Sequence, residues 1–326
     1  MRIVIPALSL ELGGGTRSLV RLAEGLARHG HAVELLIPTG ARVHWELPVP
    51  VRWVPALTPQ AFPPCDLILT NFWPTVLPAV RSGAGKVVRL SQGFEPLWVQ
   101  DPGARESYLL PVPILAISHW LADQIRRETG REARVIPLGV DQPTFGPPEP
   151  GSERRGLLYI WRHKSQGYDF KGSDDLLRAL GHVFDFYPEL PVTLISPDPF
   201  PVEMHYPCEI HFAPDDAQLA ACYRQTALFV STSWFEAFSL APLEAMACGA
   251  PVVSTDCGGV REYARDGQNC LLVPPREPRL LAEAILRVLR DRALGARLGA
   301  GGVETGREWS WERSWKAVDQ ALCSLV

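Results

Sequence analysis

The 326-residue chain has no apolar run approaching the ~20 residues that a membrane-spanning helix needs, because proline or charge interrupts every apolar stretch. It also lacks a basic leader followed by a long apolar stretch and a small-residue cleavage site. Its opening, MRIVIPALSL, reads instead as a strand, and the expected location is the cytoplasm. Cysteine is sparse: there are seven, an odd number, and no two are spaced CxxC. That argues against a disulfide framework and a zinc ribbon and leaves buried, reduced thiols. Charge of one sign is also lacking. The net charge is −4 and neither half has the basic surplus of a nucleic-acid binder, so no nucleic-acid partner is expected. Glycine and proline are frequent but follow no period, which excludes fibrous and repeat architectures. There is no Asp-x-Asp, no HExxH and no histidine cluster, so no metal is expected. Asp174-Asp175 and Asp215-Asp216 open predicted helices, where acids suit the helix dipole.

What is present is the mix of a globular protein, 46% hydrophobic and 21% charged, in a chain long enough for two domains. MRIVIPAL is followed by Gly13-Gly14-Gly15, then by TRSLVRLAEGLARHG. That segment sets Leu19, Leu22, Ala23 and Leu26 on one helical face. HAVELLIP, DLILTNF, KVVRLS and ILAIS read as buried strands, HWLADQIRRETG as a helix and ARVIPLGVD as a strand. This βαβ rhythm predicts a parallel sheet covered by helices. QPTFGPPEPGSERR is the best linker candidate. The rhythm then restarts at GLLYIW and runs to the amphipathic PRLLAEAILRVLRD. The expected organisation is a lobe over residues 1–148, a second over 149–305, and a helix over 306–326 packing back on the first. The fold class is α/β, with two Rossmann-like, doubly wound parallel-sheet lobes facing a central cleft.

The strongest local signal is WFEAFSLAPLEAMACGAPVVSTDCGG, residues 234–259. A strand ends just before it. Glu236 sits at a loop-to-helix junction and Glu244 follows eight residues later, a spacing that lets both lie along one side of a helix. The backbone N–H groups near Phe238, Ser239 and Leu240 would open that helix, where an anion is favoured. A second anion-binding candidate is WRHKSQGYDFKG, with Arg162, Lys164 and Lys171. Gly13-Gly14-Gly15 is a third, since glycine lets a backbone approach a ligand closely. A dinucleotide-binding reading fails there. Ser18 occupies the last glycine slot of GxGxxG, and Pro38-Thr39 stands where an acid should close the second strand.

The segment from Glu236 to Gly259 resembles the signature of family 4 retaining glycosyltransferases, which have the two-lobed GT-B fold. That signature is a glutamate, seven residues, a second glutamate, then AMACG-P-VV-GG. VREYARDGQNCLLVPP, WSWERSWKAV and the VIPLGVD ending of residues 118–141 are similar to the same family. The resemblance implies a metal-independent, retaining hexosyltransferase with no cofactor. Its donor would be a nucleotide-diphosphate sugar of the UDP, GDP or dTDP type. Its acceptor would be a sugar, lipid-linked or small-molecule hydroxyl, used in cell-surface polysaccharide or glycoconjugate synthesis. Carried over by position, Glu236 would bond the donor sugar and Glu244 the donor ribose. Phe238, Ser239 and Leu240 would offer amides, and Gly14 and Gly15 would face the donor. Arg162 and Lys171 would balance the diphosphate, with Lys164 an alternative to Lys171.

Two departures stand out. Trp161 replaces the usual glycine before Arg162, and the N-lobe lacks the usual histidine. They motivate the alternative of a non-catalytic nucleotide-sugar-binding subunit. QGFEP is similar to a segment of relatives that transfer 6-deoxyhexoses and makes Gln92 and Glu95 acceptor-side candidates, with Glu95 read either as an acceptor contact or as a solvated loop acid. Trp309, Trp311 and Trp315 read as a terminal docking cluster. Arg17, Arg21 and Arg28 read as a solvated helix face that could make weak contact with anionic lipid.

Overall fold

The computed structural model describes residues 1–149, 151–162, 167–199, 206 and 208–325. In chain order the elements are β1 (Arg2–Pro6), α1 (Gly14–Arg28), β2 (Ala32–Pro38), β3 (Val51–Val54), β4 (Leu67–Thr70), α2 (Trp73–Ser82), β5 (Lys86–Ser91), α3 (Pro102–Leu109), β6 (Ile114–Ala116), α4 (His119–Thr129) and β7 (Arg134–Val135). Then come β8 (Arg155–Ile160), α5 (Ser173–Phe184), β9 (Val192–Ser196), β10 (Cys208–Phe212), α6 (Asp216–Gln225), β11 (Thr226–Ser231), α7 (Leu240–Ala247), β12 (Val252–Thr255), β13 (Leu271–Val273), α8 (Pro278–Arg290), α9 (Arg292–Glu308) and α10 (Trp311–Cys323). They form two units: Met1–Gly139 with Trp311–Val326, and Val140–Ser310.

The first unit holds a seven-stranded parallel sheet ordered β3-β2-β1-β4-β5-β6-β7. Its central strands are near-continuous apolar runs: Ile3, Val4, Ile5, Ile68 and Leu69 are fully buried, as strands covered on both faces must be. α10 belongs to this unit. Trp315 Nε1 donates to the Arg21 carbonyl at 2.7 Å, and His31 Nε2 lies 2.7 Å from Asp319 Oδ1. The α1 cations are not a loose solvated set. Arg21 and Arg28 both pair with Glu24, and Arg28 lies over the Trp315 ring.

The second unit holds a six-stranded parallel sheet ordered β10-β9-β8-β11-β12-β13. Its chain order reverses between β8 and β11. In open α/β sheets that reversal leaves a crevice at the carboxyl ends of the two strands, where ligands bind.

The structure revises the expected boundaries. Residues 140–148, predicted with the first lobe, group with the second. The Val140 N–H donates to the Trp309 carbonyl, Gln142 Nε2 reaches the Gly306 and Arg307 carbonyls, and Arg224 bonds the Thr144 carbonyl. The chain therefore passes between units at residues 139–140 and 310–311, not within the proline-rich stretch. The terminal tryptophans likewise divide, Trp309 with the second unit and Trp311 and Trp315 with the first.

α9 has no counterpart in the sequence reading, because its segment carries five glycines. Four of them, Gly295, Gly299, Gly302 and Gly306, share one face at helical spacing. A Cβ on Gly302 would sit 3.1 Å from Met246, and one on Gly306 would sit 2.6 Å from Ala247. The glycines are there to bring α9 against α7, a gain that outweighs their poor helix propensity.

Candidate functional site

At the switch point of the second sheet, β8 runs out into Trp161-Arg162 and β11 into the loop that carries Glu236. Glu236 is held by its backbone as if in a strand: its N–H donates to the Cys257 carbonyl at 2.8 Å, and its carbonyl accepts from Gly259 N–H at 2.9 Å. Its carboxylate is only part-exposed and accepts two hydrogen bonds on Oε1, from Lys171 Nζ at 2.5 Å and from Ser233 Oγ at 2.8 Å.

Lys171 is placed by a buried hydroxyl cluster. Its carbonyl accepts from Thr232 Oγ1 at 2.8 Å and from the Tyr159 hydroxyl at 3.1 Å, and that hydroxyl lies 2.8 Å from Thr232 Oγ1 and 3.2 Å from Ser173 Oγ. Burial pushes the Tyr159 phenol up to about 12, so it remains a donor. Ser173 Oγ donates to the Arg162 carbonyl at 3.0 Å, tying the segment after β8 to the start of α5. The Arg162 guanidinium lies over the Tyr168 ring. Gly172 turns the chain from Lys171 into α5 at φ +67°, and a Cβ there would run into the Thr232 carbonyl. Gly172→Ala is therefore expected to destabilise the second unit by about 1–3 kcal/mol and to disturb Lys171 with it. A wild-type denaturation midpoint in urea would contradict this.

α7 starts at Leu240, not at Glu236, so the two glutamates do not share a helix as the spacing suggested. Glu236 precedes the helix in its strand-like bridge. Glu244 lies in the second turn of α7, buried, with Oε2 3.4 Å from the Tyr223 hydroxyl. Phe238 turns its ring inward against Tyr263 and Trp309. Ser239 caps the helix start in a left-handed conformation, φ +68° and ψ +74°. The first N–H groups of α7 have no intrahelical acceptors. The second unit thus sets Lys171 against the Glu236 carboxylate a few residues before the N-terminus of α7, with Arg162 just past β8, a combination suited to an anionic ligand that also carries hydroxyls.

Trp161 is buried in the core of this unit beside Tyr159, so its departure from glycine is absorbed by packing. Lys164 lies outside the described residues. Trp234, Tyr159 and Tyr263 were passed over in the sequence. Trp234 Nε1 donates to the buried Asp175 at 2.7 Å, so Asp175 does more than favour a helix dipole. Among the cysteines, Cys248, Cys257 and Cys270 are buried, and desolvation pushes each thiol up to about 12; Cys323 is exposed.

In the first unit Gly14 and Gly15 form the first turn of α1. Gln92, just past β5, reaches them: a Cβ on Gly15 would lie 3.6 Å from Gln92 Oε1. That oxygen is buried and accepts no hydrogen bond among the described residues. Glu95 is neither a solvated loop acid nor open to an acceptor. It is 2% exposed. Both its oxygens accept from Arg89 Nη2 at 2.9 Å, and Oε2 also accepts from the Tyr108 hydroxyl at 2.5 Å. Burial pushes its carboxyl up and the Arg89 guanidinium opposes that rise.

Residues 155–291 match the family model described as Glycosyl transferases group 1. That match lies within the second unit and covers less than half of the chain. Among curated relatives it is similar to the D-inositol 3-phosphate glycosyltransferase of Streptomyces bingchenggensis, 28% identical over 60% of this chain and 49% of the relative. The enzyme of that name from Frankia alni is 31% identical over 56% and 51%. The chain spans about half the length of these curated relatives. Among solved structures, the sucrose-phosphate synthase of Thermosynechococcus elongatus has a TM-score of 0.81 at 19% identity, covering 99% of this chain and 98% of that one. HepE of Anabaena, in complex with UDP and glucose, has a TM-score of 0.83 at 16% identity, covering 99% and 100%. With two parallel-sheet α/β units and these structural neighbours, the chain has the GT-B fold.

Proposed function

We propose that this chain is a retaining glycosyltransferase that moves a hexosyl group from a nucleotide-diphosphate sugar to a hydroxyl acceptor in the synthesis of a cell-surface polysaccharide or glycoconjugate. The observation that carries the reading is the convergence of Arg162, Lys171, Glu236 and the start of α7 at the switch point of the second sheet. A diphosphate would take Lys171, Arg162 and the amides near Phe238, Ser239 and Leu240. The sugar hydroxyls would take Glu236, and Glu244 the ribose. HepE, which shares the fold, was solved with UDP and with UDP-glucose, and a donor of the UDP type is the first to try.

In this reading the bond from the anomeric carbon to the diphosphate oxygen breaks as the acceptor oxygen bonds to that carbon on the same face. The acceptor proton passes to the leaving phosphate oxygen, so no protein base is required. Arg162, Lys171 and the amides stabilise the charge that grows on the diphosphate. They serve in place of a metal.

The test is release of nucleoside diphosphate from UDP-, GDP-, ADP- and dTDP-sugars, run with and without EDTA. Turnover of one donor, unchanged by chelation, is expected. Binding without release would favour a non-catalytic nucleotide-sugar-binding subunit. Loss of turnover on chelation, restored by Mg²⁺ or Mn²⁺, would contradict the metal-independent mechanism.

A further inference from the structure

Ser239 is one of the few residues other than glycine held at positive φ, at +68°. An L-residue resists that conformation because its Cβ crowds the neighbouring carbonyl. The residue stands directly before α7, and its backbone decides where the helix's first N–H groups are presented.

A neighbouring side chain holds it there: the Tyr263 hydroxyl donates to the Ser239 carbonyl oxygen. Tyr263 is 2% exposed, and its ring packs at 5.5 Å from Phe238 and 6.1 Å from Trp309. It cannot follow Ser239 if the turn relaxes. Burial raises its phenol well above the usual range, so it stays a donor at any working pH.

We infer that Tyr263 is a positioning residue for the diphosphate: through the Ser239 carbonyl it fixes a strained turn so that the N–H groups opening α7 stay set for an anion. This rests on the proposal that the second unit binds the nucleotide-diphosphate donor. Without the hydroxyl, Ser239 is free to leave the left-handed region, and part of the binding energy of the diphosphate is spent on restoring it. The ring alone fills the core, so Tyr263→Phe separates positioning from packing.

The experiment is calorimetric titration with UDP, GDP, ADP and dTDP, carried on with whichever binds the wild type most tightly. Tyr263→Phe is expected to weaken that nucleotide roughly 5- to 30-fold, the penalty of a left-handed L-residue expressed as affinity. Glycine adopts the turn without strain. The same Tyr263→Phe change made in a Ser239→Gly background should therefore cost less than about 2-fold. A purely structural role for the hydroxyl would give the same loss in both backgrounds. Equal affinities of wild type and Tyr263→Phe, or equal losses in the two backgrounds, overturn the inference and leave the proposed function standing. If none of the four nucleotides binds the wild type, the proposed function fails and this inference with it. If Tyr263→Phe does not fold but the double variant folds and binds like Ser239→Gly, the restraint is supported. If neither folds, the hydroxyl belongs to the core and the inference is wrong.

Discussion

Glu236→Gln is expected to slow turnover by about 10- to 150-fold while making the empty site a better trap for nucleoside diphosphate. The first effect follows from losing a charged hydrogen bond to the sugar as its glycosidic bond breaks, a contribution of about 1.5–3 kcal/mol. The second follows from the Lys171–Glu236 ion pair at 2.5 Å. A diphosphate must draw Lys171 away from that carboxylate and sit beside its charge. The pair is partly solvated, with side chains 27% and 19% exposed, so its disruption costs little. Removing the charge should tighten nucleotide binding roughly 2- to 5-fold. Lys171→Ala should weaken it instead. Steady-state kinetics and calorimetry on the two variants decide the matter. Wild-type turnover by Glu236→Gln would place the reaction elsewhere, and weaker nucleotide binding by that variant would mean that the pair assists the diphosphate.

Glu95→Ala should destabilise the first unit by about 3–5 kcal/mol, because it strands a fully buried guanidinium without its counter-charge. Arg89 is 0% exposed. Its remaining partner is Ser107 Oγ, together with the face of the Tyr108 ring. Exchanging both ends of the pair for apolar residues, Arg89→Met with Glu95→Leu, should recover much of the loss, since a buried pair adds little beyond the desolvation it offsets. Urea denaturation followed by tryptophan fluorescence reads both variants. A Glu95→Ala protein with the wild-type midpoint would show that the acid is not sealed in.

The parallel sheets and the residues of the second unit's candidate site stand out in the sequence because their signals are local. Continuous apolar strands followed by turn residues are visible in any window, and Glu236, Lys171 and Arg162 each lie just past a strand or at a helix start. What was hidden depended on partners far away in sequence or on geometry that spacing does not encode. Arg89 inside KVVRLS carries no signal of its own, and Glu95 reads as an acceptor contact or a loop acid; only the fold makes them a pair. Eight residues between Glu236 and Glu244 suggested two helical turns, but Glu236 is bridged to Gly258 and the helix starts only at Leu240. The α9 segment was passed over because glycine counts against a helix in isolation, whereas here it is what lets two helices touch. The proline-rich stretch looked like the lobe boundary, yet Val140 just before it and Gln142 at its start already hydrogen-bond within the second unit.

The first unit is built from two stretches separated by the whole of the second. On a ribosome, that order matters. Residues 1–139 emerge early, with the β-sheet complete but with the surface of α1 that receives Trp315 still bare. The second unit, contiguous in sequence, can close as soon as it leaves the tunnel. Only after Trp311–Cys323 has been made does the helix layer of the first unit fill, across a loop that the folded second unit shortens. The unit begun before the second is thus completed after it, and its nascent chain carries that bare face of α1 until Trp311–Cys323 has been made.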